Sequence, residues 1–370
     1  MAMQELPGQP ILYPKFWMPS ATGVPAFATT ATLIDAAGEK IAFIFFVHKA
    51  GEIETVEFSL RSVVFNALSV ARVSLQDVSL VNGDPDGVQD QFRDLTGLAT
   101  GWVVPGRISS DGTDTGTRRT VAVGDILVFV LEYQTFTAAD SLTLGAPSES
   151  TAGEDRDLPY TDLFTAAWAP SAGQNPGIVL KYSDGTYSAP LGCVPVLSVA
   201  DQTFNSGSTP DERALLFQVP VPMRVCGARW RGSVAAGANH DVVLYDAAGT
   251  ALRTASRDGD VSSITGIGMR GAHFTSPLDL AANVDYRLAL KPTTVTNVSV
   301  VQATFATAAI ANAYAGGPTA QLSTRTDGGA WTETATVLPM MSLLVHGLPD
   351  DVQTGGGLLT NPGMAGGMRG

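Results

Sequence analysis

Cysteine is nearly missing from this 370-residue chain, with Cys193 and Cys226 as the only two. Two thiols on apolar segments cannot build a disulfide framework, so buried free thiols are the expectation. Histidine is almost as scarce. His48, His240, His273 and His346 stand singly in strand-like segments, without an His-Glu-x-x-His pair, a Cys-x-x-Cys, a Gly-x-Ser-x-Gly elbow or a phosphate-binding glycine loop. The nucleophile and metal motifs of a stand-alone enzyme are therefore missing. A glycoside or polysaccharide hydrolase would have to rely on a carboxylate pair that spacing alone does not identify. Long apolar runs are missing too: Ile41 to Val47 is about strand length, far short of a membrane span, and no membrane insertion is expected. Met1 to Pro10 lacks the basic, apolar and small-residue order of a signal peptide, so synthesis in a cytoplasm without export is expected.

Charge is low at 15% and unevenly placed. Residues 1–198 hold 22 acidic and 11 basic side chains, residues 199–370 hold 13 and 11, and the net charge is −13. An acidic surface repels phosphate backbones and anionic lipid, which argues against nucleic acid as a partner. With 45% hydrophobic residues the chain has material for two cores, and its 39 glycines and 22 prolines are spread as turn residues between short strands would be.

What is there is period-two alternation. Thr120 to Tyr133 and Val284 to Leu290 alternate β-branched or aromatic residues with polar ones, and Asp184-Gly185, Arg257-Asp258-Gly259 and Asp327-Gly328-Gly329 supply turns. Short helices are expected only at Val88 to Leu95, Asp162 to Trp168 and Thr307 to Tyr314.

The pattern also repeats. Ile53 precedes Val225 by 172 residues and Phe58 precedes Trp230 by the same interval. Val73 to Asp77 matches Val243 to Asp246, Val121 to Val128 matches Leu278 to Leu288, and Phe164 to Trp168 is set against Phe305 to Ala309, each followed by an Asp-Gly turn. The expected fold is all-β: two tandem, internally duplicated β-sandwich, jelly-roll-like domains at 1–199 and 200–348, then a flexible Gly/Met-rich tail at 349–370. Short-period solenoids are excluded by the length of the repeat.

Three aromatic residues are candidates for contact with a glycan. Tyr187 and Trp331 each follow an Asp-Gly turn, and Trp102 lies on a long loop of the first half. A ring so placed either stacks on a sugar face or turns inward to cover the end of a core. One loop, with Asp84, Asp86 and Asp90 and with Asp94 beyond, has carboxylates spaced for calcium. It lacks the Glu of a complete EF-hand loop, since Leu95 stands at the twelfth position, and an Asp-Gly turn explains the same residues without a cofactor.

Val242 to Thr250 and Asp285 to Thr294 resemble phrases in β-sandwich domains of tailed-bacteriophage fibre, tail and head-decoration proteins, and the ending Met364 to Gly370 adds to the likeness. The resemblance covers most of the second half. It implies a non-enzymatic structural component of a virion, built as a homo-oligomer among other virion proteins and able to meet a host-surface glycan. The tail, or an N-terminal strand from Ile11 to Met18, would then latch neighbouring subunits. The loops Asn82 to Arg93 and Gly106 to Arg118, longer than their counterparts, are expected to protrude. A carbohydrate-binding module is the alternative reading.

Overall fold

The computed structural model describes residues 11–13, 33–79, 84–89, 91–144, 160–171, 177–190, 196–259, 264–317 and 319–347. The described chain is almost wholly β. A short strand β1 (Ile11–Tyr13) comes first. The first half follows with β2 (Leu33–Ile34), β3 (Lys40–Phe46), β4 (Gly51–Val64), β5 (Val70–Asp77), β6 (Gln91–Leu95), β7 (Gly101–Val103) and β8 (Arg119–Val121). It continues through β9 (Ile126–Thr135), β10 (Ser141–Leu144), β11 (Tyr160–Phe164), β12 (Trp168–Ser171), β13 (Ile178–Tyr182) and β14 (Tyr187–Ser188). The second half holds β15 (Ser198–Phe204), β16 (Glu212–Gln218), β17 (Met223–Val234), β18 (His240–Tyr245), β19 (Ala251–Arg257), β20 (Ile264–Leu280) and β21 (Asp285–Pro292). After β22 (Val298–Thr304) and helix α1 (Ala308–Ala315) come β23 (Ala320–Arg325), β24 (Thr332–Thr334), β25 (Val337–Pro339) and β26 (Met341–Gly347).

These strands form four antiparallel sheets, two in each half. One first-half sheet runs β12-β11-β3-β9-β5-β6 and the other β14-β13-β4-β10-β2, with β7 and β8 also on β4. In the second half the orders are β24-β23-β16-β21-β18-β19 and β1-β26-β17-β22-β15, with β20 on β17 and β25 on β22. Alternation decides which side chains meet. Phe43 and Phe45 of β3, Phe129 of β9, Phe58 of β4 and Leu180 of β13 all face one buried cluster shared by the two first-half sheets. The rings of Phe58 and Phe129 lie 5.2 Å apart. Phe217, Trp230, Tyr286 and Phe305 are in the corresponding cluster of the second half. Each large side chain taken out of water contributes about 1.5–3 kcal/mol, which is what holds such sheets face to face. The architecture is β-sandwich-like.

The registers of the halves run in step. Phe58 faces Ile178 and Ile53 faces Tyr182, while Trp230 faces Met341 and Val225 faces Val345. The offset is 172 residues on the central strand and 163 on its partner, at both ends of each pairing. Gly124 and Asn283 both adopt left-handed backbone, φ 96° and 57°. Each donates its N–H, at 2.9 Å, to the carbonyl of Val47 or Val219. Only residues that tolerate αL fit such a turn.

Several expectations change. Of the three expected helices, only the segment near Thr307 forms one: Thr307 caps α1 by accepting from Ile310 N–H, and Gly316 ends it in αL geometry. Gln91 to Leu95 instead pairs with β5, and Asp162 to Phe164 pairs with β3, because ladder pairing outweighs the weak helix preference of short segments. The Asp184-Gly185 hairpin joins β13 to β14, whereas Asp327-Gly328 joins β23 to β24, so these turns sit in different sheets. Residue 199 falls within β15, which pairs with β22 of the second half, and β1 pairs with β26 of the same chain. The loop from Gly106 to Arg118 is fastened down: Ile108 and Ser109 are buried, Ile108 N–H reaches Glu54 O at 2.9 Å, and Arg107 and Arg118 both pair with Glu54. Cys226 is a half-buried free thiol raised by burial, and Cys193 lies outside the described residues, as does the 349–370 tail. Among the described residues no helix is long and apolar enough to cross a membrane.

Candidate functional site

Two of the three aromatic candidates converge on one carboxylate. On β4, Phe58 and Leu60 point into the first core, so Glu57 and Ser59, alternating with them, point out of the opposite face of the same sheet. That face is covered: Thr55, Glu57 and Ser59 are all buried. Val179 stands opposite Glu57, Trp102 opposite Ser59, and Tyr187 opposite Lys181 one strand further out. Glu57 Oε2 accepts from Trp102 Nε1 at 2.8 Å and Oε1 from the Tyr187 hydroxyl at 3.1 Å.

The surroundings place this cluster between the halves. Val179 belongs to the buried cluster of the second half, and Trp102, Tyr187 and Ala189 pack against it. Helix α1 lies against β14 and brings that cluster's Ile310 and Ala311 with it. Burial, and then the neighbouring Glu57 charge, push the Tyr187 phenol up to about 12. The tyrosine therefore stays protonated and donating at neutral pH. With both oxygens engaged by ring donors, Glu57 fixes the two rings, and the arrangement is one of attachment rather than proton transfer. Sequence reading singled out Trp102 and Tyr187 but missed Glu57; its one signal was an acidic residue inside the apolar alternation Ile53 to Phe58.

Trp331 is elsewhere. It is partly buried on the outer face of the sheet containing β16, against Ala214, Val243, Tyr245 and Ala289. The small alanines leave room for long side chains to lie flat on the sheet, and the guanidinium of Arg325 sits 4.3 Å from the Trp331 ring and 4.6 Å from that of Tyr245. Arg325 also pairs at 2.7 Å with Glu212, which is 1% exposed. Arg287, 5.3 Å from Trp331, donates to Glu333, Ser323 Oγ and Ala247 O. Burial first, and Glu212 next, push the Tyr245 phenol well above its usual range. The ring of Trp331 is thus engaged by the protein's own cations.

The acidic loop gives less. Asp86 Oδ1 accepts from Val88 N–H at 2.9 Å, an Asx turn, and Asp94 pairs with Arg72 at 2.6 Å. Asp84 lies in the same turn, its carbonyl accepting from Ser79 N–H, while Asp90 is outside the described residues. Among the described residues no three His, Cys, Asp or Glu side chains gather as a metal would require. An open groove in the second half is lined by Arg224, Arg253, Pro277, Leu278, Asp279 and His346. There Arg224 makes a two-pronged pair with Asp279, and Arg253 donates to three backbone carbonyls.

No family model, no curated protein and no solved structure matches the chain.

Proposed function

We propose that this protein is a non-enzymatic structural component of a bacteriophage virion, of the tail, fibre or capsid-surface kind. In this reading two sandwich units on one duplicated plan form a stiff body that assembles with copies of itself and with other virion proteins. The observation that supports it most is the junction: a whole sheet face of the first half is buried against the second and fastened by Trp102 and Tyr187 on Glu57. Tandem domains joined only by a linker move relative to one another by default, whereas a covered face with an inner hydrogen-bond network resists such motion. A load-transmitting spacer needs that stiffness. The common register offsets favour duplication, and the two segments that resemble phage sandwich domains lie on neighbouring strands, with Tyr245 facing Arg287. Attachment to a host glycan belongs to the same proposal as a secondary role; of the candidate rings, Trp331 lies on an outer sheet face.

Light scattering with negative-stain imaging of the full chain, beside a version ending at Gly347, tests the proposal. A trimer or larger ring of two-lobed subunits is expected. A compact monomer at micromolar concentration in both versions would overturn it and transfer the weight to a carbohydrate-binding module.

A further inference from the structure

The sheets that carry β4 and β17 share a plan down to the residue, and one position in that plan is filled in two different ways. Beside β13 lies β14, with Tyr187 opposite Lys181 and Ser188 opposite Leu180. Beside β26 lies β1, with Leu12 opposite Leu344 and Tyr13 opposite Leu343. The 163-residue offset makes Leu180 equivalent to Leu343 and Lys181 to Leu344, so β14 and β1 occupy the same edge position in the same direction. In the first half that edge is closed locally, by the hairpin turn at Asp184-Gly185. In the second half β26 is followed in sequence by a glycine-rich stretch with no return strand, and the position is taken by a segment 334 residues earlier in the chain.

Resting on the reading of the chain as a self-assembling structural protein, we propose that β26 is an acceptor edge for strand exchange and that the β1 it takes up in the assembly comes from a second copy of the chain. Four observations support this. An open edge strand such as β26 is a template for another chain's backbone, and backbone pairing does not depend on which copy supplies the donor. The donor is short and bounded in sequence by Pro10 and Pro14, which lack an N–H and suit a strand that adds only at an edge. Residues 14–32 connect it to β2, so Tyr13 can lie at most about 65 Å from Leu33, far enough to reach a neighbouring copy. Finally, donor and acceptor are different surfaces of one chain, so exchange is head-to-tail and closes into a ring when the rotation permits.

The test is a register-specific crosslink in a Cys193→Ser, Cys226→Ser background, the second replacement being needed because Cys226 Sγ lies 3.5 Å from Leu344 O. Chains carrying Leu12→Cys and chains of a different size carrying Leu344→Cys are co-expressed, oxidised and run on a non-reducing gel. A third sample carries both substitutions in one chain. Facing residues on antiparallel strands are about 4.5–5.5 Å apart at Cα, within disulfide reach. Expected is a mixed-size band in the first sample and a ladder of linked chains in the third. Tyr13→Cys with Leu343→Cys repeats the test one position along, in case the first pair disturbs folding. Linkage only within single chains, in a protein that is still oligomeric by light scattering, overturns strand exchange and leaves self-assembly standing. No linkage in either register overturns the pairing itself. A monomer by light scattering removes the assembly reading and the exchange with it.

Discussion

Removing the Glu57 side chain is the most direct challenge to the junction. In Glu57→Ala, Trp102 Nε1 loses a 2.8 Å acceptor and Tyr187 a 3.1 Å acceptor, at a position 2% exposed where water does not replace them freely. A buried donor left unpaired costs about 1–3 kcal/mol, so two cost about 2–6 kcal/mol, less whatever desolvation of the carboxylate had already cost the native state. Glu57→Gln should be milder, about 1–2 kcal/mol. Its carbonyl can keep the indole N–H, and the Tyr187 hydroxyl can rotate to accept from the new amide. The decisive quantity is the coupling in a double-mutant cycle of Glu57→Ala with Trp102→Phe, measured by urea unfolding followed by both fluorescence and circular dichroism. A coupling of about 1–2 kcal/mol is expected, because once either partner is gone the other has less to lose. With the junction weakened, the two probes should also cease to coincide as the halves unfold separately. A coupling below about 0.3 kcal/mol with coincident transitions would refute the claim that this hydrogen bond fastens the halves.

Three further outcomes are expected. Burial alone would raise the Asp140 carboxyl, but the Ser69 hydroxyl, the Thr137 and Asn66 backbone N–H groups and the Asn66 amide outweigh it and hold it at about 2, against an ordinary 3.8. A lowered folded-state value means the stabilisation, about 2 kcal/mol, is present above pH 4 and lost as pH falls from about 4 to 2. Asp140→Ala should therefore lose stability at pH 7 and show a flatter acid limb in thermal unfolding; an unchanged acid limb would count against it. Gly232→Ala would set a Cβ 2.0 Å from Ser299 O across the ladder and should cost about 3 kcal/mol or more, so a melting temperature within 2 °C of the parent, roughly the shift of a 1 kcal/mol change, would be incompatible with that approach. Ile108→Ala, 1% exposed, should cost about 2–4 kcal/mol in urea unfolding, whereas a loss under about 0.5 kcal/mol would return the Gly106 to Arg118 segment to the class of free surface loops.

Strand content was legible because alternation is a local signal: β4, β9 and β21 can be read from their own residues. The 172-residue interval was legible for the same reason, since Phe58 and Trp230 are large inward residues at matching registers. Partnership was not. Both Asp-Gly hairpins look alike in sequence, but which sheet a hairpin joins is decided by pairing with β4 or β16, tens of residues away. The Ala-rich stretch 165–167 failed as a helix because its flanking residues are held in ladders with β3 and with each other. Glu57 was invisible because a carboxylate on the polar phase of a strand normally faces water; only the docking of the second half makes that face an interior.

The edge position beside β26 also has a consequence for how the chain is made. β1 leaves the ribosome among the first residues and its acceptor among the last, so the second-half sheet stays unfinished until synthesis is nearly complete, while the first half, whose edge is closed by a hairpin, can finish early. In an unfolded chain, closing the 334-residue interval from Ile11 to Val345 costs about 3 kcal/mol more than closing the short β13–β14 hairpin. During that interval the exposed β26 edge and the waiting β1 of adjacent nascent chains on one message would be near neighbours, a circumstance in which assembly and folding become the same event.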